Sequence, residues 1–437
     1  MRLIRLLKSD LAKESVEWVE KDIISPEQAA QICNLYGIDY YNQSKHSYGY
    51  YILVTLGYLF IGLASITLIG ENWEDIPRAV RMLGVVSITL ITNLLAWHQY
   101  NKDKINAAIG TFFLGGLFYG ASIMLIAQIY HIGEHYPDGI FWWMLGILPL
   151  ALLLESILLM LLATSLAYTW FFVESSLNFF PTFFLVFLLI LGWFVFKQRR
   201  SLLLFILFVV GVGTFAEYVL SWLIEDNNRF NVTIENMALG AGIFMLFHGI
   251  SKWLYNCKDH VLVDYGTVLG VWTLRFALVT MFILSFAEPW EGLIEARWSL
   301  PWLMVAICGV LSAVMLVLTY LAEKEIIFSS LLAIVFNAAL LGVIFTADDD
   351  ASVIFQVVDN IALVVTGIWL ITNGIKNGVS YFLYLGIVTI FLTGLLRYID
   401  LVNDYIGATI LFMIFAAILL ATAKFLKRSN TKQGVAS

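Results

Sequence analysis

Long apolar runs separated by short polar breaks are what most constrain this chain. After Tyr48 such runs fall near 49–70, 79–97, 107–130, 139–154, 157–173, 181–196, 201–224, 236–255, 265–286, 300–321, 326–346, 355–372, 381–397 and 405–423. A helix rises about 1.5 Å per residue and the hydrocarbon core is about 30 Å thick, so roughly twenty apolar residues cross it. In that solvent the backbone must satisfy its own polar groups, which leaves helices for segments of this kind. The sequence predicts an all-α, polytopic transmembrane helix bundle of about fourteen spans over residues 49–423. The runs at 139–154 and 157–173 are short, and only Glu155-Ser156 separates them. They form either a tight helical hairpin or a pair that includes a re-entrant element. With 60% hydrophobic and 13% charged residues, the chain has too little polar surface for a fold surrounded by water.

The distribution of charge gives an independent expectation of orientation. With the N-terminus cytoplasmic and the loops alternating, the inner side holds six Lys/Arg before the first run. It also holds Lys102, Lys104, Lys197, Arg199, Arg200, Lys252, Lys258, Lys324, Lys376 and four residues of the 424–437 tail. The outer side holds Arg78, Arg81, Arg229, Arg297 and Arg397, and Arg275 falls inside a run. A split of 19 to 5 follows the positive-inside rule and predicts both termini on the cytoplasmic side of a cell membrane. Trp and Tyr gather at run ends, as in Tyr48-Tyr50-Tyr51 and Trp142-Trp143, where interface anchoring accounts for them.

Residues 1–48 are the one polar stretch of any length, and they contain no apolar run long enough for a cleaved signal peptide. Leu3, Leu6, Leu7, Leu11, Trp18 and Val19 recur at near-helical spacing among charges. A second helix start follows: Ser25 can cap, Pro26 suits the first helical position, and Gln28 can complete a capping box. Gly37 is a natural stop. The expectation is a cytoplasmic amphipathic helical hairpin that caps the bundle, lies on the membrane or engages a protein partner.

Three segments carry a resemblance. They are Trp18…Ile24-Ser25-Pro26-Glu27-Gln28-Ala29, then Glu71-Asn72-Trp73-Glu74-Asp75-Ile76-Pro77-Arg78, and then Ile126-Ala127-Gln128-Ile129-Tyr130-His131-Ile132 followed by Pro137-Asp138-Gly139 and Trp143…Leu148-Pro149-Leu150. In this order they resemble the bacterial predicted membrane proteins that carry the domain of unknown function 2157. The resemblance covers the first third to half of the chain. It implies a protein of the bacterial cytoplasmic membrane and carries no activity with it. The family-like residues of the first two outer loops are Asn72, Trp73, Pro77, Gln128, Tyr130, His131 and Asp138.

Polar groups inside a membrane are costly and point to function by default. Counting along the runs puts Arg275 about 15 Å and His248 about 18 Å from the faces their runs enter, so both lie near the midplane. Asn337 is also central, and Glu217 lies nearer the outer interface. These four are the candidates for a polar cavity or proton relay. The alternative is that Arg275 is satisfied by carbonyls and a neighbouring carboxylate for packing alone. The outer-loop candidates are Asn72, Trp73, Gln128, Tyr130, His131 and Asp138, which either contact a ligand or pack loop on loop. His131-Ile132-Gly133-Glu134-His135 matches the H-x-x-E-H pattern of inverted zinc peptidases. Gly133 within it and Pro137 after it disfavour the helix that metal sharing needs, and no third ligand stands out, so no metal is expected. Cys33, Cys257 and Cys308 show neither disulfide nor zinc spacing.

No phosphate-binding glycine loop, nucleophile elbow or nucleotide-sized soluble domain is present, so no cofactor and no nucleic acid partner are expected. Three classes of function remain open. One is a transporter or flippase-like carrier of a small, anionic or lipid-linked substrate. The others are a membrane-embedded enzyme acting on envelope substrates at the outer face, and a structural or sensory scaffold.

Overall fold

The computed structural model describes residues 14–16, 18–35, 40, 56–58, 60–61, 77–130, 135–224, 233–322, 326–346, 351–400 and 413. Among them it is all-helical, and ten helices are long and apolar enough to cross a membrane. Two shorter apolar helices, Pro137–Leu153 and Phe183–Gln198, accompany them. These twelve match twelve of the fourteen expected runs. Most of the first run and nearly all of the last lie outside the described residues, as does Gly37. The chain divides into two compact units, Met1–Ile38 with Thr233–Ser437, and Asp39–Val232.

In the first unit, helical residues at 14–16 and 18–20 precede α1 (Pro26–Leu35). The expected capping box is present: Ser25 N–H donates to Gln28 Oε1 at 2.9 Å, and Gln28 N–H donates to Ser25 Oγ at 3.3 Å. The Ser25 hydroxyl also donates to Glu27 at 2.8 Å, which holds that carboxyl below its ordinary value. A depressed carboxyl adds stability only while it is ionised, so this contribution is lost as pH falls through the carboxylate range.

The second unit is built from helical hairpins. α2 (Arg78–Asn101) and α3 (Ile105–Tyr130) lie side by side, with Thr89 Oγ1 and Ser122 Oγ 2.8 Å apart. α4 (Pro137–Leu153) crosses α3 where glycines clear the way. Trp143 covers Gly120 and donates its indole N–H to the Gly116 carbonyl at 2.8 Å. α5 (Ile157–Ser176) packs back along α4, so the short runs form two consecutive helices of one hairpin. Glu155 turns the chain at φ 46, and Ser156 caps α5. α6 (Phe183–Trp193) ends in a π-helical turn, Phe194–Gln198, and α7 (Leu202–Ile224) follows. Gln198 donates to the Leu152 carbonyl at the end of α4, 3.0 Å away. Phe171, Phe184, Phe215 and Tyr218 fill the space between α5, α6 and α7.

The rest of the first unit runs up and down. Its elements are α8 (Ile234–Tyr255), α9 (His260–Leu284), the short α10 (Ala287–Glu295), α11 (Pro301–Leu321), α12 (Ile326–Phe345), α13 (Ala351–Asn377) and α14 (Ser380–Asp400). Helix ends meet at one side. Glu235, at the start of α8, accepts from Ser299 N–H before α11 at 2.6 Å. Trp302 in α11 packs on Phe345 at the end of α12, with ring centroids 4.9 Å apart. Trp290 of α10 stacks on Phe355 near the start of α13 at 5.1 Å. Glycine lets α8 touch α11 backbone to backbone: a methyl on Gly249 would lie 2.8 Å from Met315 Cα and 3.0 Å from its carbonyl oxygen.

Three substitutions test these features. Ser25→Ala should weaken the start of α1 by about 1 kcal/mol, read as faster hydrogen exchange at the Gln28 amide. Gly249→Ala should destabilise the purified protein by roughly 1–3 kcal/mol because backbone must yield. Gly309→Ala, where nothing lies within 4 Å, should be neutral or stabilising in the same thermal unfolding assay.

Candidate functional site

A helix leaves its last four carbonyls without partners, and inside a bilayer no water supplies them. The C-terminus of α9 meets this condition with side chains. Trp290 donates its indole N–H to the Leu284 carbonyl at 2.6 Å. Gln356 and Asn360, one turn apart on α13, both donate to the Ser285 carbonyl, at 3.2 and 3.1 Å. From α14, Arg397 reaches the Ser285 hydroxyl at 3.5 Å and lies over the Phe286 ring, 5.0 Å from its centroid. Arg397 is only 9% exposed and Ser285 fully buried.

Asp359 stands next to Asn360, within reach of the Arg397 charge. Asp359 Oδ2 and Asn360 Oδ1 are buried and have no hydrogen-bond partner among the described residues. Buried acceptors without donors are uncommon and call for an explanation. The centre therefore holds a guanidinium and two acceptor oxygens with capacity to spare, one of a carboxylate and one of an amide. It can take up a proton or a donor-bearing guest, and its cation can hold an anion.

Arg275 lies elsewhere. Its side chain is exposed, and its Nε–H donates to the Tyr381 hydroxyl at 3.3 Å, at the second position of α14. The α9 helix begins at His260, earlier than the expected run, and Arg275 faces out of the bundle. His248 is on the α8–α12 seam, 6.3 Å from the Phe328 ring, with its Nε2 buried and no hydrogen-bond partner among the described residues. Asn337 donates to Ser312 Oγ and to the Ala333 carbonyl, both at 2.8 Å. The layer of Met245, Met315 and Ala333 comes between the positions of His248 and Asn337 along these helices. Neither of them is brought to Arg275 by any hydrogen bond or ring contact. Glu217 is on α7 in the other unit.

Among the outer-loop candidates, Gln128 and Tyr130 are exposed at the end of α3, and the Tyr130 hydroxyl meets Met82 Sδ at 3.3 Å. Asp138 is exposed in the first turn of α4. Asn72, Trp73 and His131 lie outside the described residues. His135, the second histidine of the H-x-x-E-H pattern, pairs with Glu174 of α5 at 2.8 Å and sets its ring against Phe179.

Sequence reasoning counted Arg397 with an outer loop and passed over Asp359 and Asn360. α14 runs on to Asp400, past the expected run end, so Arg397 is inside a helix. The available signal was the polar Gln356, Asp359 and Asn360 at the mouth of an apolar run.

The comparisons agree with the class of protein that these helices define. Residues 16–160 match a family described as "Predicted membrane protein (DUF2157)". No curated protein and no solved structure matches the chain. The chain is a multi-helix membrane protein whose N-terminal part is similar to that family.

Removing Arg397 would leave Asp359 as an uncompensated buried charge, and Arg397→Leu should cost about 3–5 kcal/mol in thermal or denaturant unfolding. Adding Asp359→Asn should recover part of that loss. A double variant that is no more stable than Arg397→Leu alone would show that the two charges are not coupled.

Proposed function

We propose that this protein is a proton-coupled carrier of a small anion in the cytoplasmic membrane, with both termini inside and the Asp359–Asn360–Arg397 centre as its working site. The observation that carries the reading is the pair of buried acceptor oxygens on α13, without a hydrogen-bond partner among the described residues, at the Ser285 terminus that the buried Arg397 also reaches. An isolated charge in a medium of low dielectric is prohibitive, so the centre must stay near neutrality at each step. Empty, the Asp359 carboxylate balances Arg397. When Asp359 Oδ2 takes a proton, the guanidinium needs another anion, and its planar fork suits a carboxylate or phosphate. Asn360 Oδ1 then accepts from a donor on the cargo or on its water. Proton and anion thus enter and leave together.

The positive-inside split of the basic residues supports the orientation. The N-terminal segment, with its intact capping box, is the part available to a protein partner. A second reading, an enzyme at the outer face, has the His135–Glu174 pair in its favour.

Proteoliposomes with an entrapped pH-sensitive dye test the proposal. An inward gradient of the carried anion, sought among inorganic phosphate, succinate and glutamate, should acidify the lumen. Asp359→Asn and Arg397→Lys should each slow this at least about tenfold, the effect of roughly 1.4 kcal/mol on a barrier. Acidification no faster than in protein-free liposomes for every anion would rule the carrier out. The same rate in the two variants would move the working site elsewhere.

A further inference from the structure

Arg275 occupies a stripe that the bundle leaves open. Trp272, Val279 and Ile283 follow helical spacing with it on α9 and are 54%, 57% and 57% exposed, whereas Leu269, Thr273 and Leu278 on the other face are buried. In a membrane such a stripe faces lipid. Among the described residues, the Arg275 side chain meets the Tyr381 hydroxyl and two aromatic rings, with the guanidinium carbon 5.6 Å from the Trp272 ring and 5.9 Å from that of Tyr381. No carboxylate pairs with it there. A permanent cation on a lipid-facing stripe must draw its head to the headgroup level and find an anion. Tyr381 marks that level, since α14 begins at Ser380 and the chain turns between α13 and α14 at Gly378, φ +64. Lys376, exposed in the last turn of α13, adds positive charge at the same turn.

We propose that Arg275, held by Tyr381 and Trp272, binds the phosphate headgroup of one anionic phospholipid on the flank of α9. Tyr381 occupies Nε, so the four N–H groups on Nη1 and Nη2 remain to grip phosphate oxygens from one side. Trp272 and Tyr381 fix the plane of the guanidinium, and the apolar stripe beyond it receives an acyl chain. This site is independent of the carrier centre at Arg397.

Native mass spectrometry of the full-length protein tests it, with phosphatidylglycerol or phosphatidylcholine of identical acyl chains supplied in turn. The wild type should retain one phosphatidylglycerol in preference to phosphatidylcholine. Arg275→Gln should lower that occupancy about tenfold, as expected for loss of a charge-assisted, two-pronged contact. Lys102→Gln, at an exposed cation beyond α2, should leave it unchanged. Equal retention of the two lipids by the wild type would overturn the proposal, and that comparison decides the matter even if Arg275→Gln fails to accumulate. Undiminished phosphatidylglycerol on Arg275→Gln would also overturn it. So would displacement of the lipid by inorganic phosphate bound in its place, which would assign the site to a free anion.

Discussion

The carbonyls at the end of α9 are met by side chains of α10 and α13, and much of the first unit is arranged around them. Trp290 folds α10 back over Leu284, and the same indole stacks on Phe355 to bring α13 alongside. Gln356 and Asn360 close on the Ser285 carbonyl, and Arg397 enters from α14. Three helices and an amphipathic turn are thereby fixed by donors aimed at one helix terminus. Asn360 spends its amide N–H groups in this way, and among the described residues Asp359 Oδ2 and Asn360 Oδ1 have no hydrogen-bond partner. The polar centre arises where a helix end is satisfied inside an apolar bundle.

The chain's two most informative arginines have opposite surroundings. Arg397 is inside, at the Ser285 hydroxyl and over the Phe286 ring, where its charge is costly and must be balanced. Arg275 is outside, on an apolar stripe among aromatic rings, where lipid headgroups can balance it. A hydropathy reading ranks them the other way round, because it measures distance from a run end and not the face a residue occupies. That is why Arg275 read as central and Arg397 as peripheral.

The order of the helices was legible because run length acts on whole segments. The start of α1 was legible to the atom, since a capping box is local and Ser25 and Gln28 need nothing beyond their own turn. The Glu155-Ser156 break left two readings open, and the packing of α5 along α4 makes it a helical hairpin. The partner of Asn337 was not legible: Ser312 is on another helix, and no spacing rule reaches across. The convergence of Ser285, Asp359, Asn360 and Arg397 is of the same kind, as it depends on three separate helices. α10 was missed for a different reason, being too short and too mixed in character to stand out between two spans.

The central claim is that Asp359 Oδ2 and Asn360 Oδ1 receive a guest. A cryo-electron microscopy map of the full chain in a lipid nanodisc, sharp enough to show ordered water, addresses it directly. The account predicts discrete density within hydrogen-bond distance of both oxygens, next to the Arg397 guanidinium. A dry centre in which Arg397 grips both Asp359 oxygens and Asn360 turns its carbonyl onto a protein donor would contradict it.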